Sequence, residues 1–326
     1  MIIVTGAAGF IGSAVIWQLN VTGERHIVAS DRFRDGEKWR NLRDLFFDEF
    51  IFPDQLVEFM EKNAKEITAV IHLGACSATT EKDMDFLYQN NFLFSRVLWE
   101  WCALRRKTFV YASSAATYGD GESGYLDNEA GIPKLKPLNK YGWSKQLFDL
   151  WALKQKVTPP SWAGLKFFNV FGPNEYHKGS MASVLLHAFN QYKAEGKIRL
   201  FESHREGIGH GEQKRDFVYI KDVVRMIDFF RKSQGAPNGI YNVASGQARS
   251  FLDFTKAMFQ TLKVEPAVEF IPTPEAIRDK YQYFTEGDIS KIKRSGFTEH
   301  VHSLEEAVAD YVGNYLVKDK RCLSLN

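Results

Sequence analysis

Met1-Ile-Ile-Val-Thr-Gly-Ala-Ala-Gly-Phe-Ile-Gly12 opens the chain and decides its fold. Ile2 to Val4 is an apolar, β-branched run that reads as a strand. It breaks at Gly6, and a helix-like stretch follows from about Phe10 to Gln18. A strand that turns through glycines into a helix N-terminus is built to hold phosphate. Gly6 permits the tight turn, Gly9 lets the backbone approach a pyrophosphate, and Gly12 lets the helix pack close to the strand. The amides and the dipole at the helix start favour the anion. Glycine spacing alone is weak evidence. Here it has the strand–turn–helix setting, and Asp31 follows about 20 residues on, where a ribose hydroxyl would be met.

Strand and helix signals alternate outward from this turn. Strands are expected at 27–30, 68–72, 108–112 and 164–168, and helices at 84–104 and 138–155. That alternation predicts an α/β fold, a doubly wound parallel sheet of the Rossmann type. Its ligands should bind beyond the carboxyl ends of the strands. After Asn169 glycine and proline punctuation becomes frequent, and 204–214 reads as a loop. The expectation is a dinucleotide-binding domain over 1–168. A second, smaller substrate-binding domain covers most of 169–326, with segments returning to the first.

With 326 residues the chain can bury a substantial core, and 44% hydrophobic with 25% charged residues is ordinary for a globular protein. A formal net charge of +2 and the lack of a Lys/Arg stripe argue against a nucleic-acid partner. Cys76, Cys102 and Cys322 form no CxxC pair, so neither a disulfide framework nor a metal site is expected. His72 and Cys76 have no third ligand at metal spacing. No apolar run reaches the roughly 18 residues of a spanning helix. The first strand leaves no room ahead of it for a signal peptide, so the expectation is a cytoplasmic protein with no membrane partner.

The second strong signal is Tyr141-Gly-Trp-Ser-Lys145. Residues four apart share a helix face. A lysine ammonium beside a tyrosine favours the phenolate, which would make Tyr141 a base for a substrate hydroxyl. A lone Tyr-x-x-x-Lys is common by chance. Beside the glycine turn and the serine-bearing strand end at Ser113-Ser114, it completes a hydride-transfer site.

These residues together resemble the extended short-chain dehydrogenase/reductase family over the first half of the chain. Phe168-Asn-Val-Phe-Gly-Pro173 is similar to its nucleotide-sugar subgroup. His177-Lys-Gly-Ser-Met-Ala-Ser183, Lys214-Arg-Asp-Phe-Val-Tyr219, Tyr281-Gln-x-Phe-Thr285 and Gly74-Ala-Cys-Ser77 carry the likeness nearly end to end. Within that subgroup they resemble the epimerases that act on an ADP-linked heptose. The resemblance implies oxidation and re-reduction at C6″ of the sugar, with the cofactor regenerated each turnover. It also implies a role in lipopolysaccharide core heptose synthesis, and a homo-oligomer.

By that resemblance Tyr141, Lys178, Lys145 and Ser114 are catalytic. An epimerase must return hydride to the opposite face, so the keto sugar turns over and two proton donors are needed. Tyr141 serves one orientation and Lys178 the other; a solvated loop lysine is the alternative for Lys178. The implied cofactor contacts are Gly6, Gly9, Phe10, Ile11, Gly12, Asp31, Arg32, Lys38, Leu73, Gly74, Ala75, Cys76, Ser77, Asn90 and Val170, together with Tyr141, Lys145 and Lys178. The implied substrate contacts are Ser114, Asn169, Ser180, His187, Phe201, Glu202, Ser203, Arg215 and Tyr281. Arg215 could fork onto a diphosphate or be a surface charge. His187 could be a core histidine. Asp31 alone suits NAD, whereas Arg32, Arg34 and Lys38 offer cations to a 2′-phosphate unless they are a solvated basic turn. The subgroup favours NADP, with NAD as the alternative. A 4-epimerase or a 4,6-dehydratase would share the cofactor site. Ala115-Ala116 after Ser114, where a dehydratase usually has an acidic pair, disfavours the latter. A non-catalytic NADP-sensing protein would have little reason to keep Ser114, Tyr141 and Lys145 together.

Overall fold

A computed structural model describes residues 1–233, 235–278 and 282–325. The chain runs β1 (Ile2–Thr5), α1 (Phe10–Val21), β2 (Ile27–Ser30), β3 (Glu49–Ile51), α2 (Pro53–Lys62), β4 (Ala69–His72), α3 (Met84–Leu87), α4 (Phe94–Arg105), β5 (Thr108–Ser114), α5 (Lys140–Leu153) and β6 (Trp162–Phe167). It continues through β7 (Asn169–Phe171), α6 (Val184–Glu195), β8 (Ile198–Phe201), β9 (Lys214–Tyr219), α7 (Ile220–Lys232), β10 (Gly239–Val243), β11 (Ala248–Ser250), α8 (Phe251–Leu262) and β12 (Val268–Ile271). The short helices α9 (Glu275–Arg278), α10 (Ser290–Arg294) and α11 (Leu304–Asp310) follow.

Seven strands form one sheet in the order β10-β6-β5-β4-β1-β2-β3, and every neighbouring pair is parallel. This is the doubly wound sheet expected from the alternating pattern. All four residues of β1, of β2 and of β4 are buried, as strands covered on both faces must be. The outer strand β10 comes from the second half of the chain and pairs with β6 from Gly239↔Ala163 to Val243↔Phe167. Two small sheets, β11-β9-β7 and β12-β8, lie apart from the large one.

The expected helix over 84–104 is interrupted. Between α3 and α4, Tyr88–Leu93 takes a π-helical turn, a local widening often found at functional sites. Asn139 caps α5, accepting from the Gly142 amide at 2.8 Å, so Tyr141 lies in the first turn and Lys145 one turn further along. The strand read as 108–112 runs on to Ser114, which accepts from the Ala116 amide at 3.1 Å and starts the short 3₁₀ turn Ala115–Tyr118.

Candidate active site

The three glycines of the first turn face different neighbours. Gly6 has φ +65°, and a Cβ there would meet Leu73 and Gly74 backbone atoms at 2.8 Å. A Cβ on Gly12 would lie 2.0 Å from the Gly6 carbonyl oxygen. One on Gly9 would meet only that oxygen, at 3.1 Å, and otherwise open space. Gly6 and Gly12 are therefore demanded by the fold, and Gly9 leaves an approach for something else. α1 starts with no side-chain cap and no acidic residue in its first turn. Phe10 is buried at that turn and Ile11 half-buried beside it. The turn fits the pyrophosphate of a dinucleotide.

Asp31 follows the end of β2. Its carboxylate accepts from the Ala8 amide at 2.9 Å, the Arg32 amide at 2.6 Å and Lys38 Nζ at 2.6 Å. Lys38 is thus held at the acidic residue rather than solvated. Arg32 reaches Asp54 at 3.1 Å instead, and Arg34 sits in an exposed left-handed turn.

Behind the turn runs a hydrogen-bond chain whose protons can be assigned from its ends. The one proton of Ser95 Oγ goes to the Asn91 carbonyl at 2.7 Å, so Ser95 accepts from Nε2 of the neutral His72 ring at 2.9 Å. Nδ1 then accepts from the Thr5 hydroxyl, 2.7 Å away, which itself accepts from the Gly74 amide at 3.0 Å. Burial, with Lys145 nearby, pushes the His72 pKa down to about 3. Asn91 clamps Cys76, accepting from its amide at 2.8 Å and donating to its carbonyl at 2.9 Å, and also donates to Ser144 Oγ. It therefore fixes the segment Leu73, Gly74, Ala75, Cys76 and Ser77 against α5. Its neighbour Asn90, the residue singled out from sequence, donates to the Phe86 carbonyl at 2.8 Å within its own helical segment. Asn91 was missed, although it stands in the same Asn-Asn pair.

At the end of β5, Ser114 and Tyr141 come together, the Ser114 hydroxyl favouring the phenolate. Burial outweighs that and raises the Tyr141 pKa. The expectation that Lys145 lowers it is corrected here. Lys145 is itself buried, donates to the Ala112 carbonyl at 2.8 Å, and is pushed down to about 8 by desolvation, against the pull of Asp149.

Lys178 lies in a 3₁₀ segment, Tyr176–Met181, that crosses the start of α1, with Nζ 5.7 Å from the Phe10 ring centroid. Burial lowers its pKa against the raising effect of Glu175, and no carboxylate among the described residues lies within ion-pair distance. The side chain is half-buried rather than fully solvated. The adjacent His177 is pushed to about 4 by burial and then by Lys178 and Lys38. Asn41 ties these parts together, donating to the carbonyls of Ala8 at 3.0 Å and Asn174 at 3.2 Å. Residues 321–325 close the back of the turn. Cys322 Sγ donates to Asn41, Leu323 N donates to Asn174 Oδ1 at 2.7 Å, and Trp17 Nε1 donates to the Ser324 carbonyl at 3.0 Å. Asn174 Nδ2 completes the junction at Ser13 Oγ, 2.8 Å away.

Val170 is half-buried on β7, and Asn169, Ser180 and His187 are exposed, which removes the core alternative for His187. Phe201 ends β8; the Glu202 amide donates to Ile271 O, and the Ser203 amide to His210 Nδ1 at 2.9 Å. Arg215 is buried rather than a surface charge, donating to the carbonyls of Lys214 and Gln282. Tyr281 lies outside the described residues. Among the described residues no group of three or more His, Cys, Asp or Glu side chains could hold a metal ion.

A parallel sheet with a phosphate-fitting first turn, Ser114 at the end of β5 and Tyr141 and Lys145 on α5 is the framework of a nicotinamide-dependent enzyme. The chain belongs to the NAD dependent epimerase/dehydratase family, whose profile matches residues 2–244. It is 50% identical to an ADP-L-glycero-D-manno-heptose-6-epimerase of Fusobacterium nucleatum, over 98% of this chain and 99% of that one. A second enzyme of that name, from Nitratidesulfovibrio vulgaris, is 46% identical over 97% of this chain and 98% of its own. Among solved structures, the Helicobacter pylori ADP-L-glycero-D-manno-heptose-6-epimerase superposes with a TM-score of 0.80 at 28% identity, covering 96% of this chain and 95% of that one.

Proposed function

We propose that the protein inverts C6″ of ADP-D-glycero-manno-heptose to give ADP-L-glycero-manno-heptose, for the core heptose of lipopolysaccharide. The observation that carries this reading is 50% identity to an enzyme of that name along 98% of the chain. The site supports it: two proton-handling side chains, Tyr141 and Lys178, lie on separate elements beside one cofactor turn. The bound nicotinamide would take up hydride from C6″ and return it. Ser114 and Tyr141 would hold the sugar oxygen in one orientation, and Lys178 would meet it in the other. Burial raises the Tyr141 pKa and lowers that of Lys178. The raised pKa keeps the Tyr141 hydroxyl protonated, and the lowered one eases release of a proton from Lys178.

Gly6, Gly9 and the first turn of α1 would hold the pyrophosphate, and Asp31 with Lys38 the adenosine ribose. Lys38, 2.6 Å from Asp31, supports NADP, because it sets a cation beside the ribose position. Residues 1–168 form the cofactor half in this reading and residues 169–326 mainly the substrate half. Arg215 and the segment Phe201, Glu202 and Ser203 are assigned to the nucleotide sugar, and Asn169, Ser180 and His187 to the heptose. The enzyme acts in the cytoplasm as a homo-oligomer.

The test is epimerisation of ADP-heptose with no added reductant. The hydrogen at C6″ should stay with the sugar; deuterium entering it from heavy water would point to deprotonation chemistry instead. No turnover of the heptose, with turnover of a UDP-hexose, would favour a 4-epimerase. Equal affinity for NADPH and NADH would remove the NADP preference.

A further inference from the structure

Directly behind the Ser114 strand lies an ion pair that the proposed chemistry does not touch. Asp149 and Lys166 are both 0% exposed, with Nζ 2.7 Å from Oδ2. Asp149 sits on α5 one turn beyond Lys145, and Lys166 on β6. The carboxylate also accepts from Ser113 Oγ at 2.7 Å and from the Tyr111 hydroxyl at 3.0 Å. Gly164 makes room for that tyrosine, since a Cβ there would lie 2.3 Å from its hydroxyl oxygen. Lys166 donates in addition to Thr117 Oγ1 at 2.6 Å, with its ammonium 5.2 Å from the Tyr118 ring centroid. Thr117 Oγ1, its lone pair taken by Lys166, donates to the Ser114 carbonyl at 2.8 Å.

A buried ion pair gains little net stability over apolar residues of the same size, because both charges leave water. Apart from the Tyr111 bond, which reaches the strand leading into it, each further bond of the pair runs to the turn that carries Ser114. One arm grips residue 113 and the other residue 117, so Ser114 is held from both sides.

We infer that the buried Asp149–Lys166 pair positions the Ser113–Thr117 turn, fixing the Ser114 hydroxyl against Tyr141 for the reaction. These are positioning residues, acting through Ser113 and Thr117. The inference rests on the epimerase reading for the identity of the reaction, but not for the geometry.

The test uses the full chain with cofactor bound. Thr117→Val is near-isosteric; it cuts the link from Lys166 to Ser114 and leaves the ion pair in place. Lys166→Met removes the charge, and Lys166→Arg keeps it. If the pair positions Ser114, Thr117→Val and Lys166→Met should lower kcat on ADP-heptose on the order of 10- to 100-fold. KM should stay within about threefold, cofactor should remain bound, and Lys166→Arg should recover most of the loss. A crystal structure of Thr117→Val should show the Ser114 hydroxyl displaced from Tyr141. Wild-type kcat in folded Thr117→Val, or an unmoved Ser114, overturns the inference. Should Lys166→Met fail to fold, Thr117→Val decides alone. A wild-type protein inert on the heptose defeats the reaction reading, and the Ser114 position in the variant still decides the inference.

Discussion

Replacing His72 should flatten the acid sensitivity of this fold. The proton assignment makes both ring nitrogens fully engaged in the neutral form: Nδ1 accepts from Thr5 and Nε2 donates to Ser95. A second ring proton would face the Thr5 hydroxyl, whose own proton already points there. Folded His72 therefore resists protonation down to about 3, against an ordinary value of 6.5 in the unfolded chain. Below pH 6.5 the unfolded state binds the extra proton, so stability falls with falling pH across that window. Between pH 7.5 and pH 5 the loss from this one group is roughly 2 kcal/mol. The assay is urea unfolding at both pH values for the wild type and for His72→Gln, which keeps one donor and one acceptor. Any constant cost of the substitution cancels in the difference between pH values. So do the contributions of His177, with the same sign, and of Asp216, whose pKa is raised to about 6 and acts with the opposite sign. Equal pH differences in the two proteins would refute the assigned network.

Gly9→Val should fold, because Gly9 already adopts φ −70° and ψ 177°, which valine accepts, yet it should abolish cofactor binding measured by calorimetry. Gly12→Ala should instead lose about 1–3 kcal/mol or more of stability in thermal melts, since its Cβ would collide with Gly6. Tyr141→Phe and Lys178→Met should each slow epimerisation by about 10²–10⁴-fold with cofactor still bound. On an analogue with an aldehyde at the reacting carbon, each single variant should keep part of the hydride-transfer activity and the double variant almost none. Wild-type epimerisation by Lys178→Met would place the second base elsewhere. Deleting residues 321–325 removes the partners of Asn174, Asn41 and Trp17. Stability should fall by about 1–3 kcal/mol and the Kd for NADPH should rise; an unchanged Kd would detach the tail from the cofactor turn.

The parts of the site that lie close in sequence were legible from it. Gly6, Gly9 and Gly12 announce the turn because they fall within one strand–turn–helix stretch, although Gly6 also faces Leu73 and Gly74, and Tyr141 and Lys145 are joined by a single helical turn. Asn91 was hidden because Asn90 beside it has the same chemistry. Only the widened turn at 88–93 decides which of the two faces Cys76 and Ser144. β3, α2 and α7 went unread, although Pro53 opens α2 and α7 repeats apolar residues at helical spacing. The lowered tyrosine pKa was read from spacing, but desolvation governs it: Tyr141 is half-buried, and the Lys145 ammonium meets a backbone carbonyl. Asn41, Asn174 and Cys322 were beyond reach for a different reason. The bonds that join them to one another and to Leu323 span 133 to 281 residues of chain, and local pattern carries no trace of such pairs.

That last junction bears on how the protein is made. The ribosome releases β1, α1 and β2 early, and the strand order lets β4 and β5 join them as they emerge. The Asn41–Asn174 junction still lacks Cys322 and Leu323 until the segment around residue 323 has emerged. At about 5–20 residues per second, that delay is on the order of tens of seconds. During it Trp17 and the Asn174 side chain wait without their final partners on a nascent Rossmann sheet. The nascent chain thus has its dinucleotide turn long before it has the latch behind it.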